Sequence, residues 1–313
     1  MENKLIYMAP LQGFTDAAFR HCHARVYGYA DGYFTPFVRV EHGAVRRHDL
    51  NDVCSPLNGS TKLSAQIIFR DIAEFDMLCS RLMEHGVRAV NLNMGCPFVP
   101  QVRRGRGAGV LGNVGLLEQV SRRIEGLPEV MFSVKMRLGI EEPSEWENVV
   151  DVLNSMRLSE VTLHPRTARE QYAGELHIEE FGRMCERCVH PMVFNSELRH
   201  PDDITDIFTR FPHIKGVMVG RGLIMRPSIM EEWKSGEIWD EEKRVTKLME
   251  LHDALLRCAE TAMCGEHQVL AKMRPYWEYW GEEFSRKSVK QILKASTLRK
   301  YREAVVNAQQ SRR

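Results

Sequence analysis

A (β/α)8 barrel of the α/β class, followed by a smaller C-terminal helical domain, is the architecture this sequence predicts. Three observations predict it. Eight short apolar, β-branched runs alternate with amphipathic stretches between residues 5 and 222. After residue 240 such runs stop, and segments of helical period take over. Polar residues and glycines gather at the C-terminal ends of the apolar runs, where barrels of this kind carry their chemistry.

The candidate strands are LIYMAP (5–10), YFTPFVRV (33–40), LSAQIIF (63–69), AVNLNMG (89–95), MFSVKMR (131–137), EVTLHPR (160–166), PMVFNS (191–196) and GVMVGRG (216–222). Between most of them lie stretches such as DIAEFDMLCSRLMEHG and NVGLLEQVSRRIEG, whose apolar positions recur every three to four residues, as helices require. The long polar connection before the third strand, TPFVRVEHGAVRRHDLNDVCSPLNGSTK, reads as a decorated loop. Beyond the boundary expected in WKSGEIWDEEK, helical period marks EEKRVTKLMELHDALLRCAETAM, HQVLAKMRPYWEYWGEEF and SVKQILKASTLRKYREAVVNAQQ. The expected domains are therefore residues 1–240 and 241–313.

At 313 residues, 43% apolar and 27% charged, the chain has the composition of a soluble globular protein, which excludes disordered and fibrous classes. No run of 18 apolar residues occurs, and the N-terminus lacks both a basic leader and an apolar signal core, so a cytoplasmic protein without membrane attachment is expected. Eight scattered cysteines then read as reduced thiols. Cys185 and Cys188 form a C-x-x-C in a helical segment, two ligands where a tetrahedral metal needs about four, and no metal site is expected. The formal charge of +1 conceals an asymmetry: residues 265–313 hold eleven basic and five acidic residues, a net of +6 against −5 for the rest. A basic tail on a slightly acidic body is a footprint for a polyanion, and equally the pattern of a solvated helix face. A monomer is expected.

The predicted strand ends present Pro10, Leu11 and Gln12, then Gln66, Asn93 with Cys96, Lys135 with Arg137, His164 with Arg166, Asn195 with Ser196 and Glu197, and Gly220 with Arg221. Polar groups at the tails of apolar strands are costly to bury unless they hold something. The segments after the last two strands suit a phosphate, with glycines for close backbone approach and Arg221 for the phosphate oxygens. Gln66 and Lys135 can hydrogen-bond a flat heterocycle, and the combination points to flavin mononucleotide, FMN. GRGAG (105–109) lacks the dinucleotide G-x-G-x-x-G spacing. It reads as a mobile loop over the face, with Arg103, Arg104 and Arg106 meeting a phosphate backbone or lying on plain surface.

MAPLQGFTDAAFR (8–20), NLNMGCP (91–97), GAGVL (107–111), VKMRLG (134–139), LHPRTAREQYAG (163–174) and GVMVGRG (216–222) together resemble the dihydrouridine synthases, flavin enzymes that reduce uridines in transfer RNA. FVRV (37–40) and the spacing of Lys272 and Arg274 before aromatics resemble one bacterial subfamily. The resemblance implies an FMN barrel with NADPH as electron donor, a helical domain that grips transfer RNA, flavin contacts from Pro10, Leu11, Gln12, Gln66, Lys135, His164, Asn195, Ser196, Glu197, Gly220 and Arg221, and Cys96 as catalytic acid. Against the family pattern, Leu11 replaces a methionine, Ser196 a glycine, and FVPQ a basic residue after the Cys-Pro.

Chemistry suits these roles. Uracil's C5=C6 bond is conjugated to the C4 carbonyl, so hydride added at C6 demands a proton at C5 from the opposite side. A thiol of ordinary pKa, about 8.5, is mostly protonated near neutrality and can donate it. A stacked uridine must be flipped out to reach the barrel mouth, and basic residues of the tail can support that through salt-sensitive phosphate contacts. Arg39, Asn93, Arg166, Lys272 and Arg274 are the expected RNA contacts. Tyr276, Trp277, Tyr279 and Trp280 either stack on bases or pack the helix against the barrel. The alternatives are a flavin barrel acting on a free small molecule, reduction of ribosomal RNA, and a non-catalytic RNA-binding protein on a relic barrel.

Overall fold

Eight parallel strands close into a barrel among residues 4–59 and 61–311, which the computed structural model describes. They are β1 Leu5–Met8, β2 Gly32–Phe34, β3 Leu63–Ile67, β4 Ala89–Met94, β5 Met131–Gly139, β6 Leu158–Thr167, β7 Met192–Ser196 and β8 Gly216–Val219. Each strand pairs with its neighbours in sequence, and β8 closes on β1 with Leu5 opposite Gly216 and Met8 opposite Val219.

The period of two along each strand sorts the side chains. Val90, Leu92 and Met94 of β4, and Phe132, Val134 and Met136 of β5, join the apolar layer beneath the surrounding helices. The alternate positions Asn91, Asn93, Ser133 and Lys135 face the barrel axis, where a smaller cluster of Tyr7, Phe34, Val193 and Met218 fills the lower end. Polar chemistry is thus carried inside the barrel by strands that read as nearly continuous apolar runs.

The second expected strand is broken. β2 ends at Phe34, Pro36 has no N–H to give a ladder, and the chain rejoins the barrel edge only at Val38, opposite Ile67. A hairpin then pairs Val40–Glu41 with Ala44–Val45 across His42 and Gly43, both at positive φ, and the helix Arg47–Val53 completes the decoration.

Among the described residues four α-helices lie beyond residue 240: Glu241–Ala262, Glu266–Trp280, Arg286–Lys294 and Leu298–Gln310. Asp240, Ser285 and Thr297 cap the first, third and fourth by accepting a backbone N–H from three residues on. Met273, Tyr276, Trp277 and Trp280 recur at the spacing of a packing stripe and are fully buried. Three of the four aromatics considered for base stacking are therefore core. Tyr276 stacks on Phe19 of the helix Ala17–Tyr27 at 5.6 Å and donates to the carbonyl of Phe14, so the C-terminal helices seat on the first helix of the barrel. Cys22 and Cys258 meet across the same seam, their sulfurs 3.7 Å apart. Among the described residues no helix is long and apolar enough to cross a membrane, and no cluster of three or more His, Cys, Asp or Glu is arranged to hold a metal ion.

Candidate active site

A cavity with about 1110 Å³ of empty space, open to solvent, lies at the C-terminal ends of the strands. Its walls bring together Pro10, Leu11, Gln12, Gln66, Asn93, Cys96, Lys135, His164, Asn195, Ser196, Glu197, Gly220 and Arg221. Arg166 stands behind that wall, donating to His164 Nε2 at 3.5 Å, to Glu197 at 2.8 Å and to the carbonyl of Gly174 at 2.7 Å. Arg137, expected at a strand end, and Tyr279, named for base stacking, also line the cavity, as do Tyr172 and Arg199, which were not among the expected site residues. Tyr172 lies within the motif LHPRTAREQYAG, which was the available signal. Tyr279 lies off the packing stripe of its helix.

Cys96 sits on the turn after β4. Asn93 Oδ1 accepts the backbone N–H of Cys96 at 2.9 Å and of Gly95 at 3.2 Å. Asn93 is held in turn: its amide donates to Gln66 (2.7 Å), Gln66 donates to Asn91 (2.8 Å), and Asn91 donates to Ser133 (2.8 Å). This buried chain of amides runs across three strands and leaves the turn little freedom. Arg137 adds a brace, donating to the carbonyls of Gly95 (3.0 Å) and Thr167 (2.8 Å).

The segment after the thiol is a buttress. Residues Gly107–Gly112 form a short 3-10 helix, and Ala108 N–H donates to the carbonyl of Cys96 at 3.1 Å. Gly107 has φ +59°, and a Cβ there would lie 2.8 Å from the Cβ of Cys96. Only glycine fits a left-handed residue so close to the thiol. Arg106 is not a surface cation: it is 5% exposed and forks onto Glu74 at 3.0 and 2.5 Å, with a further bond to the carbonyl of Val40. Both expectations for Arg106, an external phosphate contact and a place on plain surface, are corrected accordingly. Arg103 and Arg104 are exposed.

The electrostatics divide the site. Burial pushes the Cys96 thiol above its ordinary pKa, against the opposing pull of the Phe98 backbone, Arg137 and Lys135, so it is protonated at neutral pH. Burial, then the charge of Arg137, lowers Lys135 to about 7, and its ammonium has no hydrogen-bond or ion-pair partner among the described residues. Burial and four nearby cations hold His164 well below its usual range, neutral and able to donate or accept. Glu197 accepts from Arg166, Arg221 (3.0 Å) and Arg199 (3.0 Å); burial works against its charge, but these arginines outweigh it and keep it ionised. An electropositive mouth with one carboxylate already spent suits an anionic ligand.

The loops after β7 and β8 touch through backbone. A Cβ on Gly222 would lie 1.7 Å from the carbonyl oxygen of Leu198. Beside this contact the buried Ser196 hydroxyl has no partner among the described residues, and the Arg221 guanidinium lies 4.4 Å over the ring of Tyr172. Asn195 is committed to the carbonyl of Met218, bracing β7 to β8.

The three remaining expected RNA contacts are placed outside the cavity. Arg39 pairs with Glu41 at 2.7 Å and Lys272 with Asp16 at 2.6 Å, while Arg274 donates to the carbonyl of Ala295. The cations of the tail that are exposed and without an ion pair among the described residues are instead Arg286, Lys287, Lys290, Lys294 and Lys300. Arg312 and Arg313, counted in the basic excess, lie outside the described residues.

Residues 7–312 match the family model described as dihydrouridine synthase (Dus). A protein named tRNA-dihydrouridine(16) synthase from Neisseria meningitidis serogroup B (strain ATCC BAA-335 / MC58) is 27% identical over 241 residues, covering 74% of this chain and 72% of its own length. A protein of the same name from Vibrio vulnificus (strain CMCP6) is 26% identical over 274 residues, covering 83% and 82%. A probable tRNA-dihydrouridine synthase from Staphylococcus aureus (strain COL) is 26% identical over 234 residues, covering 72% and 70%. Among solved structures, morphinone reductase in complex with tetrahydroNAD superposes with a TM-score of 0.52 at 10% identity, covering 76% of this chain and 88% of that one, a likeness of fold.

Proposed function

The chain belongs to the dihydrouridine synthase family, and on that premise we propose that it reduces the C5=C6 bond of uridine in transfer RNA with FMN as cofactor and NADPH as electron donor. Residues 1–240 form the catalytic barrel in this reading, and residues 241–313 the RNA-binding domain. The observation that carries it is a thiol kept protonated by burial, fixed by its neighbours' amides at the mouth of a cavity that Lys135, Arg137, Arg199 and Arg221 also line.

The donor set fits FMN. Ser196, Arg199 and Arg221 would hold the phosphate, Ser196 through a buried hydroxyl that lacks any partner among the described residues. Lys135, His164 and Gln66 would face the ring, and Pro10, Leu11 and Gln12 its flank. A bound flavin supplies a hydride to C6 of the pyrimidine. Cys96 holds the proton at Sγ and delivers it to C5, and the thiolate left behind regains a proton from solvent. Asn93 fixes the turn that aims the sulfur. Lys135 and His164 offset negative charge on the ring and on the uracil carbonyl oxygens.

Lys135 gives the cofactor fit a signature apart from turnover. In the ligand-free protein it titrates at about 7, so above that pH it is largely neutral. Hydrogen-bond acceptors of the ring opposite it favour the ammonium and raise its pKa. Binding of FMN at about pH 8 is therefore expected to take up a proton, read as a dependence of the calorimetric enthalpy on buffer ionisation heat. The uptake should vanish at about pH 5, where Lys135 is already charged, and in Lys135→Met. Uptake unchanged in that variant would remove Lys135 from the cofactor site.

The reaction is tested by nucleoside mass spectrometry on unmodified transfer RNA incubated with the protein, FMN and NADPH. The expected product is uridine heavier by two hydrogens. The relatives from Neisseria and Vibrio are named for position 16, where the product is sought first. No gain from a flavin-loaded protein would overturn the transfer-RNA reading and favour ribosomal RNA or a free small molecule.

A further inference from the structure

Phe98 and Val99 stand two and three residues beyond the reactive thiol, 61% and 43% exposed. Cys96 and Pro97 line the cavity, whereas Phe98 and Val99 lie beyond its lining. Single exposed apolar residues are ordinary, but here two are adjacent on the segment that presents the proton donor. Next to them Arg103 and Arg104 are exposed and without an ion pair among the described residues. An apolar edge flanked by unpaired cations matches a nucleic acid, whose bases offer flat faces and whose backbone offers phosphates.

Resting on the transfer-RNA reading above, we infer that Phe98 is a wedge that fills the gap left in the RNA stack when the target uridine swings into the cavity, with Arg103 and Arg104 on the adjoining phosphates. The partner is the pair of nucleotides flanking the target. Extruding a base leaves its neighbours unstacked, and an inserted apolar side chain offsets that loss. A residue serving this purpose must stay outside the cavity yet be fixed relative to the group that reacts. Phe98 meets both conditions. Its carbonyl accepts the N–H groups of Gln101 (2.8 Å) and Val102 (3.1 Å), and a Cβ on Gly109 would lie 2.5 Å from the carbonyl of Val102. The turn is pinned below by Arg106 on Glu74 and returns to the carbonyl of Cys96 through Ala108. Thiol and wedge therefore move as one piece.

The test compares two RNAs under single-turnover conditions: intact transfer RNA, and the same RNA with an abasic site replacing the nucleotide on which the target uridine stacks. Phe98→Ala is expected to slow dihydrouridine formation roughly tenfold on intact RNA and to come within about twofold of the native protein on the abasic RNA. Phe98→Trp should retain the native rate on both. A native rate for Phe98→Ala on intact RNA, or an equal loss on both RNAs, would overturn the wedge. Absence of product from the native protein on either RNA would instead sink the uridine-reduction reading and the wedge with it.

Discussion

Cys96→Ala is expected to lower the rate of dihydrouridine formation by about 10² to 10⁴, the usual cost of deleting a general acid, while flavin content, reduction by NADPH and RNA affinity stay near native. The separation follows from where the sulfur is. Cys96 lines the cavity, and the hydrogen bonds that hold its turn come from its own backbone N–H and carbonyl, which alanine keeps. The substitution thus removes a proton and little else. Rapid mixing of the reduced protein with transfer RNA isolates the step, and a variant rate within about threefold of native would exclude Cys96 as the acid. The pH profile carries the same assignment: because burial raises the thiol's pKa, the native rate should hold past the ordinary thiol value of about 8.5 before it declines.

Arg106→Ala is expected to destabilise the fold by about 3 to 5 kcal/mol, measured by urea unfolding. Arg106 and Glu74 are both 5% exposed, so removing the guanidinium leaves a carboxylate buried with only Arg70 beside it. Replacing both partners by apolar residues of similar volume, Glu74→Leu with Arg106→Met, should recover most of the loss, since the penalty comes from the orphaned charge. A loss below about 1 kcal/mol in the single variant would show that water or Arg70 compensates Glu74.

The barrel was legible because its strands are buried on both faces and read as apolar runs, and its helices carry an apolar stripe. The cavity residues were legible because polar groups cluster at the strand ends. What escaped depended on partners far away in sequence. Arg106, among glycines and arginines, has the look of a surface loop, and its partner Glu74 comes from the helix Ile72–Glu84. Asn91 and Ser133, the far end of the amide chain that steadies Cys96, lie hidden inside apolar strands. The two asparagines of NLN, two residues apart on one strand, share a face, and that spacing was the clue.

The seating of the C-terminal helices on Ala17–Tyr27 joins segments more than two hundred residues apart in sequence. Phe19 and Cys22 leave the ribosome well before Tyr276 and Cys258, which cover them. At roughly 5 to 20 residues per second the first helix waits on the order of tens of seconds for its cover. During synthesis the nascent barrel must therefore carry an exposed aromatic patch, and a chain cut short after residue 240 would carry it permanently. Chaperone dependence of the newborn protein should thus be governed by residues 241–313, and a truncated barrel should be prone to self-association through the face that those residues normally cover.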